Sequence, residues 1–302
     1  MLISIVVTSY SSGRLDDIRD LLRSIKIQKE ENYELVYVTE RDINLRRMVA
    51  REAQDIGLRV RVFHNDGRPG LAEARNLGAK AATGEILGFV DDDVVLDSGW
   101  TKAVEETFQA NPKLTGITGP AYPLWVGESA KWLPAEFDWL IGCTRWFNSP
   151  RLVEVRNCWG MNMAFRKSTF NLSGGFSEDT GYHRGWVAED VELSLRIQDL
   201  IPHTLAYVPT MVVKSKIHPY RLENRFVIER SRWIGHSRRR MKMLTRKQPF
   251  AAEFEGRLLV KLVRSLLIPR TDQRFPFEDF RKRYSLAILS LSSVILGYAI
   301  GP

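Results

Sequence analysis

Ile86-Leu87-Gly88-Phe89-Val90-Asp91-Asp92-Asp93-Val94-Val95-Leu96 is the stretch on which the reading of this chain turns. A run of apolar, largely β-branched residues predicts a buried strand, and three consecutive carboxylates stop it. Burying three charges in mid-core would cost several kcal/mol each, at about the level of any unpaired buried ion, so the triplet is placed at a strand end. Side chains alternate along extended backbone, which predicts that Asp91 and Asp93 converge while Asp92 faces away. Oxygen donors of this kind suit Mg2+ or Mn2+. An acidic turn between two elements is the plainer alternative.

Working outward, the first hundred residues alternate strand and helix signals. Ile3 to Thr8 reads as a strand, Leu15 to Ile25 as a helix, and Leu35 to Thr39 as a second strand. A helix over Ile43 to Ile56, a strand over Arg59 to His64 and an Ala-rich helix over Leu71 to Ala82 follow, before the strand that leads to the aspartates. Such alternation predicts an α/β fold with a mostly parallel sheet of the Rossmann-like, doubly wound type. Ligands of such sheets bind beyond the carboxyl ends of the strands, where the triplet falls.

After Trp100 the pattern changes. A helix from Thr101 to Gln109 leads to an aromatic region (Tyr122, Trp125, Trp132, Phe137, Trp139, Trp146, Phe147) that reads either as a packed layer or as an acceptor cleft. Gly160 to Arg166 looks like a returning strand, Gly174-Gly175-Phe176 like a turn, and Glu189-Asp190 like the acidic start of a helix. A strand over Leu205 to Val213 leads to His218.

Composition bounds the rest. The 302 residues, 44% of them hydrophobic, suffice for a large domain with an appendage, and the +8 formal charge is concentrated between Arg221 and Arg283. Cys143 and Cys158 are the only cysteines and show no metal-binding spacing, which predicts buried thiols in a reducing compartment. The opening Met1 to Thr8 lacks the features of a signal segment and reads as the first strand of a cytosolic fold. Ser285 to Ile300 carries no charge and follows Arg281-Lys282-Arg283; it reads as a short span, an interfacial helix or a core helix, with the basic flank favouring an anionic cytoplasmic leaflet.

In their order and spacing, these residues resemble glycosyltransferase family 2, with its nucleotide-sugar-binding GT-A fold, over residues 1–220. The resemblance rests on Ser4 to Tyr10, Gly70-Leu71-Ala72-Glu73-Ala74-Arg75-Asn76-Leu77-Gly78, Asp91-Asp92-Asp93, Gly160 to Arg166, Gly174-Gly175-Phe176 and Glu189-Asp190. It implies a GT-A catalytic domain over 1–220 and a helical, membrane-associating extension over 221–302. It further implies an inverting, metal-dependent hexosyltransferase that uses a nucleoside-diphosphate sugar.

Asp93 would bind the cation and Asp91 would lie nearer the ribose or sugar, with Thr8, Tyr10, Arg75, Asn76 and Asp92 around the donor. Asp190, with Glu189 beside it, would be the catalytic base that takes the acceptor's proton. Glu40 stands where many members carry a base-reading aspartate. His218 sits where some relatives place a metal ligand, although a lone histidine is more often structural.

Within the family, Glu40, the Trp132 to Gly142 segment and the basic tail look like archaeal enzymes that extend dolichyl-phosphate-linked sugars, glucuronosyltransferases among them. The implied acceptor is a lipid-linked saccharide or polyprenyl phosphate in glycan assembly at the cytoplasmic face of the cell membrane. In the tail, Arg225, Arg230, Arg232, Arg238, Arg239, Arg240, Lys242, Arg246 and Lys247 interleave with Phe226, Ile228, Trp233, Ile234 and Met241. That pattern suits a helix on anionic lipid or a solvated basic face. Nothing matches a nucleic-acid-binding module, so nucleic acid is not expected as a partner. The competing reading is a non-catalytic membrane- or nucleic-acid-binding scaffold that keeps the fold as architecture.

Overall fold

A computed structural model describes residues 1–28, 32–130, 132–179, 188–244 and 277–300. Arg246 and Lys247 of the basic tail lie outside the described residues. The chain divides into two compact units. The first comprises the described parts of Met1–Tyr122, Ser149–Gly181 and Ala188–Lys216; the second takes those of Pro123–Asn148 and Ile217–Pro302.

The first unit is built on β1 (Ile3–Ser9), β2 (Tyr33–Glu40), β3 (Arg61–Asn65) and β4 (Ile86–Asp91), joined by helices α1 (Leu15–Lys26), α2 (Ile43–Asp55) and α3 (Leu71–Ala81). These four strands are mutually parallel in the order β3-β2-β1-β4. The Val, Ile and Leu runs of β1, β2 and β4 are what a sheet covered on both faces demands, and Ile5, Val7, Val36, Val38 and Ile86 are fully buried, whereas the edge strand β3 is only partly so. Strand β5 (Val94–Leu96) and α4 (Trp100–Ala110) follow the aspartates.

Beyond β4 the sheet becomes mixed. β6 (Gly116–Thr118), β8 (Val153–Glu154), β9 (Asn162–Arg166) and β10 (Leu205–Tyr207) complete eight strands in the order β3-β2-β1-β4-β9-β6-β10-β8. β9 runs antiparallel to both β4 and β6, a reversal that brings Gly160 to the carboxyl end of β4. The strand expected over Leu205 to Val213 is divided: it stops at Tyr207 and restarts as β11 (Val213–Ile217), which pairs antiparallel with β5. The Val208 carbonyl accepts from the Met211 N–H, which closes a turn between the two. The remaining elements are β7 (Ala121–Trp125), α5 (Asp138–Ile141), α6 (Lys167–Leu172) and α7 (Glu189–Leu200).

The second unit draws its core from the aromatic stretch and the C-terminal helices α8 (Asn224–Leu244) and α9 (Phe277–Ile300). Leu133, Phe137, Leu140, Ile141, Val227, Leu286 and Ala287 form one buried cluster, with Trp125, Trp132, Trp139 and Trp146 packed on it. The aromatic run is therefore a packing layer of this unit, and residues 123–148 cluster with the tail rather than with residues 1–122. Asp138 is fully buried there, gripped by the Arg145 guanidinium at 2.6 and 2.9 Å.

Helices α8 and α9 approach closely because glycines face each other's backbone. A Cβ at Gly235 would collide with the Val294 carbonyl and stand 2.6 Å from the Tyr298 nitrogen. One at Gly297 would strike the Arg232 carbonyl. Arg239 Nη1 donates to the Ala299 carbonyl at 2.6 Å, supplying one of the last carbonyls of α9 with a donor.

In an open helix Gly→Ala gains about 1 kcal/mol. Here we expect Gly235→Ala to lose roughly 1–3 kcal/mol to overpacking, read as a lowered midpoint of thermal unfolding. An unchanged or raised midpoint would show that the two helices do not meet at this point.

Candidate active site

The carboxyl ends of β1, β2 and β4 line a cavity of about 180 Å³, walled by Thr8, Ser9, Tyr10, Arg14, Glu40, Leu71, Ala74, Asp91 and Asp92. Parallel register sets Thr8 beside Asp91. Strand β4 ends at Asp91, and Asp92-Asp93 form the turn into β5, so strand alternation does not govern them. The expectation that Asp92 faces away is thereby corrected, since its carboxylate lines the cavity. Asp92 is 4% exposed; it accepts from Ser9 Oγ at 2.5 Å and Arg14 Nη1 at 2.7 Å. The same Arg14 nitrogen reaches Asp93 Oδ2 at 3.5 Å.

Behind this pair the Tyr37 hydroxyl shares a hydrogen bond with Ser9 Oγ at 2.7 Å. Burial pushes the Asp92 carboxyl above the ordinary aspartate range, against the pull of Arg14. Burial, and then the charge of Asp92, holds the Tyr37 phenol well above its usual value. Burial also opposes the Arg14 charge, but Asp92 and Asp93 outweigh it and carry the guanidinium above its ordinary pKa.

Glu40 is buried, and its Oε2 accepts from the Gly70 N–H at 2.7 Å, just ahead of α3. A carboxylate there complements the helix N-terminus, so one of its oxygens already serves the fold. Arg41 stands 3.7 Å from the other. Tyr10 is 46% exposed, and its ring has the Arg14 guanidinium at 5.6 Å and that of Arg41 at 5.4 Å.

The second cluster is organised by Arg75 on α3, which is 2% exposed. Its Nη1 donates to Glu189 Oε1 at 2.9 Å, while Nη2 donates to Asp91 Oδ1 at 2.9 Å and to the Gly160 carbonyl at 3.0 Å. The guanidinium also lies 5.4 Å from the Phe176 ring centroid. One buried cation thus ties the end of β4 to the start of α7.

Asp190, next along α7, accepts from the Gly160 N–H at 2.7 Å and the Val191 N–H at 2.8 Å. A Cβ on Gly160 would stand 3.2 Å from Asp190 Oδ2 and 3.3 Å from Arg75 Nη2, which explains the glycine. Burial raises the pKa of both Glu189 and Asp190, partly countered by the charge of Arg75.

Asn76 is a clamp on the neighbouring turn. Its amide nitrogen donates to the Phe176 carbonyl at 2.9 Å, and its amide oxygen accepts from the Phe176 N–H at 2.9 Å. Gly174 and Gly175 hold φ of 82° and 74°, conformations that side chains disfavour, and this lets the chain fold back onto Asn76. Expected beside the nucleotide, Asn76 instead spends both amide atoms on backbone.

His218 belongs to the second unit, where its ring stacks on Tyr220 at 6.1 Å. Among the described residues no group of three or more His, Cys, Asp and Glu side chains stands at metal-binding spacing. Arg14, Arg41 and the Gly160 amide are site groups that the sequence reading did not single out. The signal for Arg14 was its cation between the Tyr10 to Gly13 loop and α1, but its partner lies 78 residues away.

The family model for glycosyl transferase family 2 matches residues 4–171. A glucosyl-dolichyl phosphate glucuronosyltransferase of Haloferax volcanii is 30% identical over 246 residues, spanning 81% of this chain and 78% of that protein. Among solved structures, a mannosyltransferase from Pyrobaculum calidifontis in complex with GDP-Man and Mn2+ superposes with a TM-score of 0.60 at 18% identity, covering 99% of this chain and 76% of that one. GalNAc-T7 with UDP, GalNAc and Mn2+ gives 0.55 at 16% identity, over 71% of this chain and 43% of that one. Both share the GT-A fold expected from the alternating strands and helices. With the match spanning more than half its length and the acidic ends of β4 and α7 joined through Arg75, the chain belongs to glycosyltransferase family 2.

Proposed function

We propose that this chain is an inverting glycosyltransferase that moves a sugar from a nucleoside-diphosphate donor to a lipid-linked saccharide or polyprenyl phosphate, working at the cytoplasmic face of a membrane. The observation that carries the reading is the Arg75 bridge, which fixes a donor-side carboxylate, Asp91, and an acceptor-side pair, Glu189 and Asp190, to one rigid group. The glucuronosyltransferase similarity, to a protein named for a dolichyl phosphate substrate, supports the acceptor class. A scaffold has no need of both acidic ends.

In this reading the cavity at β1, β2 and β4 takes the nucleotide, with the Tyr10 ring and the Arg14 and Arg41 guanidiniums at its mouth offering stacking and positive charge. Both solved relatives hold Mn2+, and the donor set here suits a hard cation. Asp91 Oδ1 takes Arg75, while the side chain is 38% exposed on the cavity wall, leaving Oδ2 for a metal; Asp93 is the second candidate. Such a cation, Mn2+ or Mg2+, would neutralise charge developing on the leaving diphosphate.

Asp190 then removes the acceptor hydroxyl's proton as that oxygen attacks the anomeric carbon from the face opposite the diphosphate, a single displacement that inverts configuration. Its two backbone N–H bonds fix the carboxylate's orientation, and its raised pKa makes it a stronger base than a solvated aspartate. Glu189 spends its charge on Arg75 and so positions its neighbour.

Asp190→Asn should lower kcat by about 10²–10⁴ while donor affinity, measured by calorimetry, stays as in the wild type. Turnover at the wild-type rate would remove Asp190 from the base role. The base must be ionised, so activity should rise with pH through its raised pKa. The acidic limb of kcat/KM then falls above the ordinary aspartate value of about 4. A limb at or below that value would refute the assignment. The same upward shift means that the pair favours folding most below the ordinary carboxylate range and loses that contribution as pH rises through the shifted values.

A thermal-shift panel of nucleoside-diphosphate sugars with and without Mn2+ tests the donor site. A donor at about 100 times its Kd should stabilise the protein by about 2.7 kcal/mol, only with metal, and Asp91→Ala should abolish the shift. A metal-independent shift retained in Asp91→Ala would overturn the metal assignment.

A further inference from the structure

The second unit contains a cavity of about 600 Å³, three times the volume of the donor cavity and inside the range of small-ligand pockets. Trp132 and Leu222 form its apolar wall, and Arg281, Lys282 and Ser285 on α9 form its polar one. Arg281 and Lys282 are exposed, and among the described residues neither has an acidic partner. Two adjacent cations and a hydroxyl facing a tryptophan wall make a site for an anion that carries an apolar group.

The helix shows where that apolar group would run. Arg281, Ser285, Ile288, Ser292 and Ile295 recur at spacings of four and three, which puts them on one face of α9. All five are exposed, Ile288 and Ile295 at 69% each. The opposite face, Leu286, Ser290, Ser293 and Gly297, is the buried one. After Arg283 no charge interrupts the helix, and the window Arg281–Ile300, with mean hydropathy 1.4, is long and apolar enough to cross a membrane. The recess therefore opens at the head of an exposed, charge-free helix face that runs about 15 Å from Ser285 to Ile295.

We propose that this cavity holds the phosphate of a polyprenyl-phosphate carrier, with Arg281 and Lys282 as its counter-ions and the isoprenoid chain laid along the Ser285–Ile295 face. The inference rests on the lipid-linked-acceptor reading and deepens it by assigning the carrier a site. A bilayer phospholipid would be served by any flat basic face; a recess with a tryptophan wall matters only for a head group that enters it.

The test is flotation of the full-length protein with vesicles of phosphatidylcholine containing either a polyprenyl phosphate or, at matched charge, phosphatidylglycerol. Charge-assisted contacts with a phosphate held in a recess exceed the attraction of a basic residue to a charged surface, so Arg281→Ala/Lys282→Ala should weaken binding to the polyprenyl-phosphate vesicles roughly 30-fold. Binding to phosphatidylglycerol should change far less. Ser285→Glu, which adds a negative charge at an exposed helix position, should act in the same direction with helix content unchanged by circular dichroism.

Equal losses on both vesicle types would make the cations a general surface patch and overturn the site. So would competition by inorganic phosphate as effective as that by the lipid. Selective binding by a wild-type protein that transfers no sugar would leave the site standing and sink the acceptor role. Transfer by the double variant with an unchanged KM for the lipid would do the reverse.

Discussion

A single buried guanidinium sets the terms for the catalytic unit. Arg75 is almost wholly removed from water, and an arginine cannot shed its proton to escape the cost of burial. It has to be surrounded by acceptors, and it is: Asp91 from the sheet, Glu189 from α7 and the Gly160 carbonyl from the approach to β9. Conversely, the buried Glu189 and the half-buried Asp190 beside it need a nearby cation to remain charged. The requirement runs both ways, so the spacing between the carboxylates at the end of β4 and the start of α7 is set by the dimensions of one planar group. Substituting Arg75 leaves the buried Glu189 without its cation, a loss that typically costs about 3–5 kcal/mol.

Arg14 repeats the device at the other side of the aspartate turn, but with exposure. It meets Asp92 and Asp93 at the cavity wall, continuing through Ser9 to the fully buried Tyr37. The two arginines divide the triplet, Asp91 to one and Asp92 with Asp93 to the other. A cation entering such a site competes with Arg14 for oxygens, and Arg14 ends a single 3-10 turn, Ser12–Arg14, immediately ahead of α1 rather than lying in a helix core. Arg75, by contrast, is anchored in mid-helix and packed against Phe176. The pairing around Arg75 is therefore held more firmly than the one around Arg14.

The parallel half of the fold was legible because β1, β2 and β4 each centre on a buried apolar run and each helix between them keeps its own period, so local preference and burial agree. The acidic ends were legible for a related reason: charge beside an apolar strand has few places to go. What escaped was whatever depends on distant pairing. Asp92 was read as facing away because alternation was carried one residue past the end of β4, where the backbone had already turned. Arg14 has an unremarkable local sequence, and its role follows from an aspartate brought to it by the sheet. The strand after Leu205 splits at Pro209, which has no N–H to give a ladder; a reading by hydropathy from Leu205 to Val213 passed over that local signal. The aromatic stretch was ambiguous between core and cleft until Leu286 and Ala287, more than a hundred residues on, supplied the surface it packs against.

That C-terminal partner reverses the usual arrangement of an amphipathic helix. In water a helix gains most by burying its largest apolar side chains. Beyond Ala287, however, α9 buries Ser290, Ser293 and Gly297 and leaves Ile288, Ile295 and Ile300 exposed. Ser290 meets its own need by donating to the Ala287 carbonyl at 3.1 Å, so its burial leaves no hydroxyl unsatisfied. Small residues inward and isoleucines outward are what close backbone packing requires when the surroundings are as apolar as the side chains, since lipid then exacts no penalty for the exposed face. The crossing at Gly235 and Gly297 obeys the same rule, with contact between helix backbones taking the place of side-chain interdigitation. Along α9 beyond Ala287 the packing is of a kind that survives removal from water, while the basic α8 keeps its arginines for a polar boundary and the sheet unit depends on the exclusion of water.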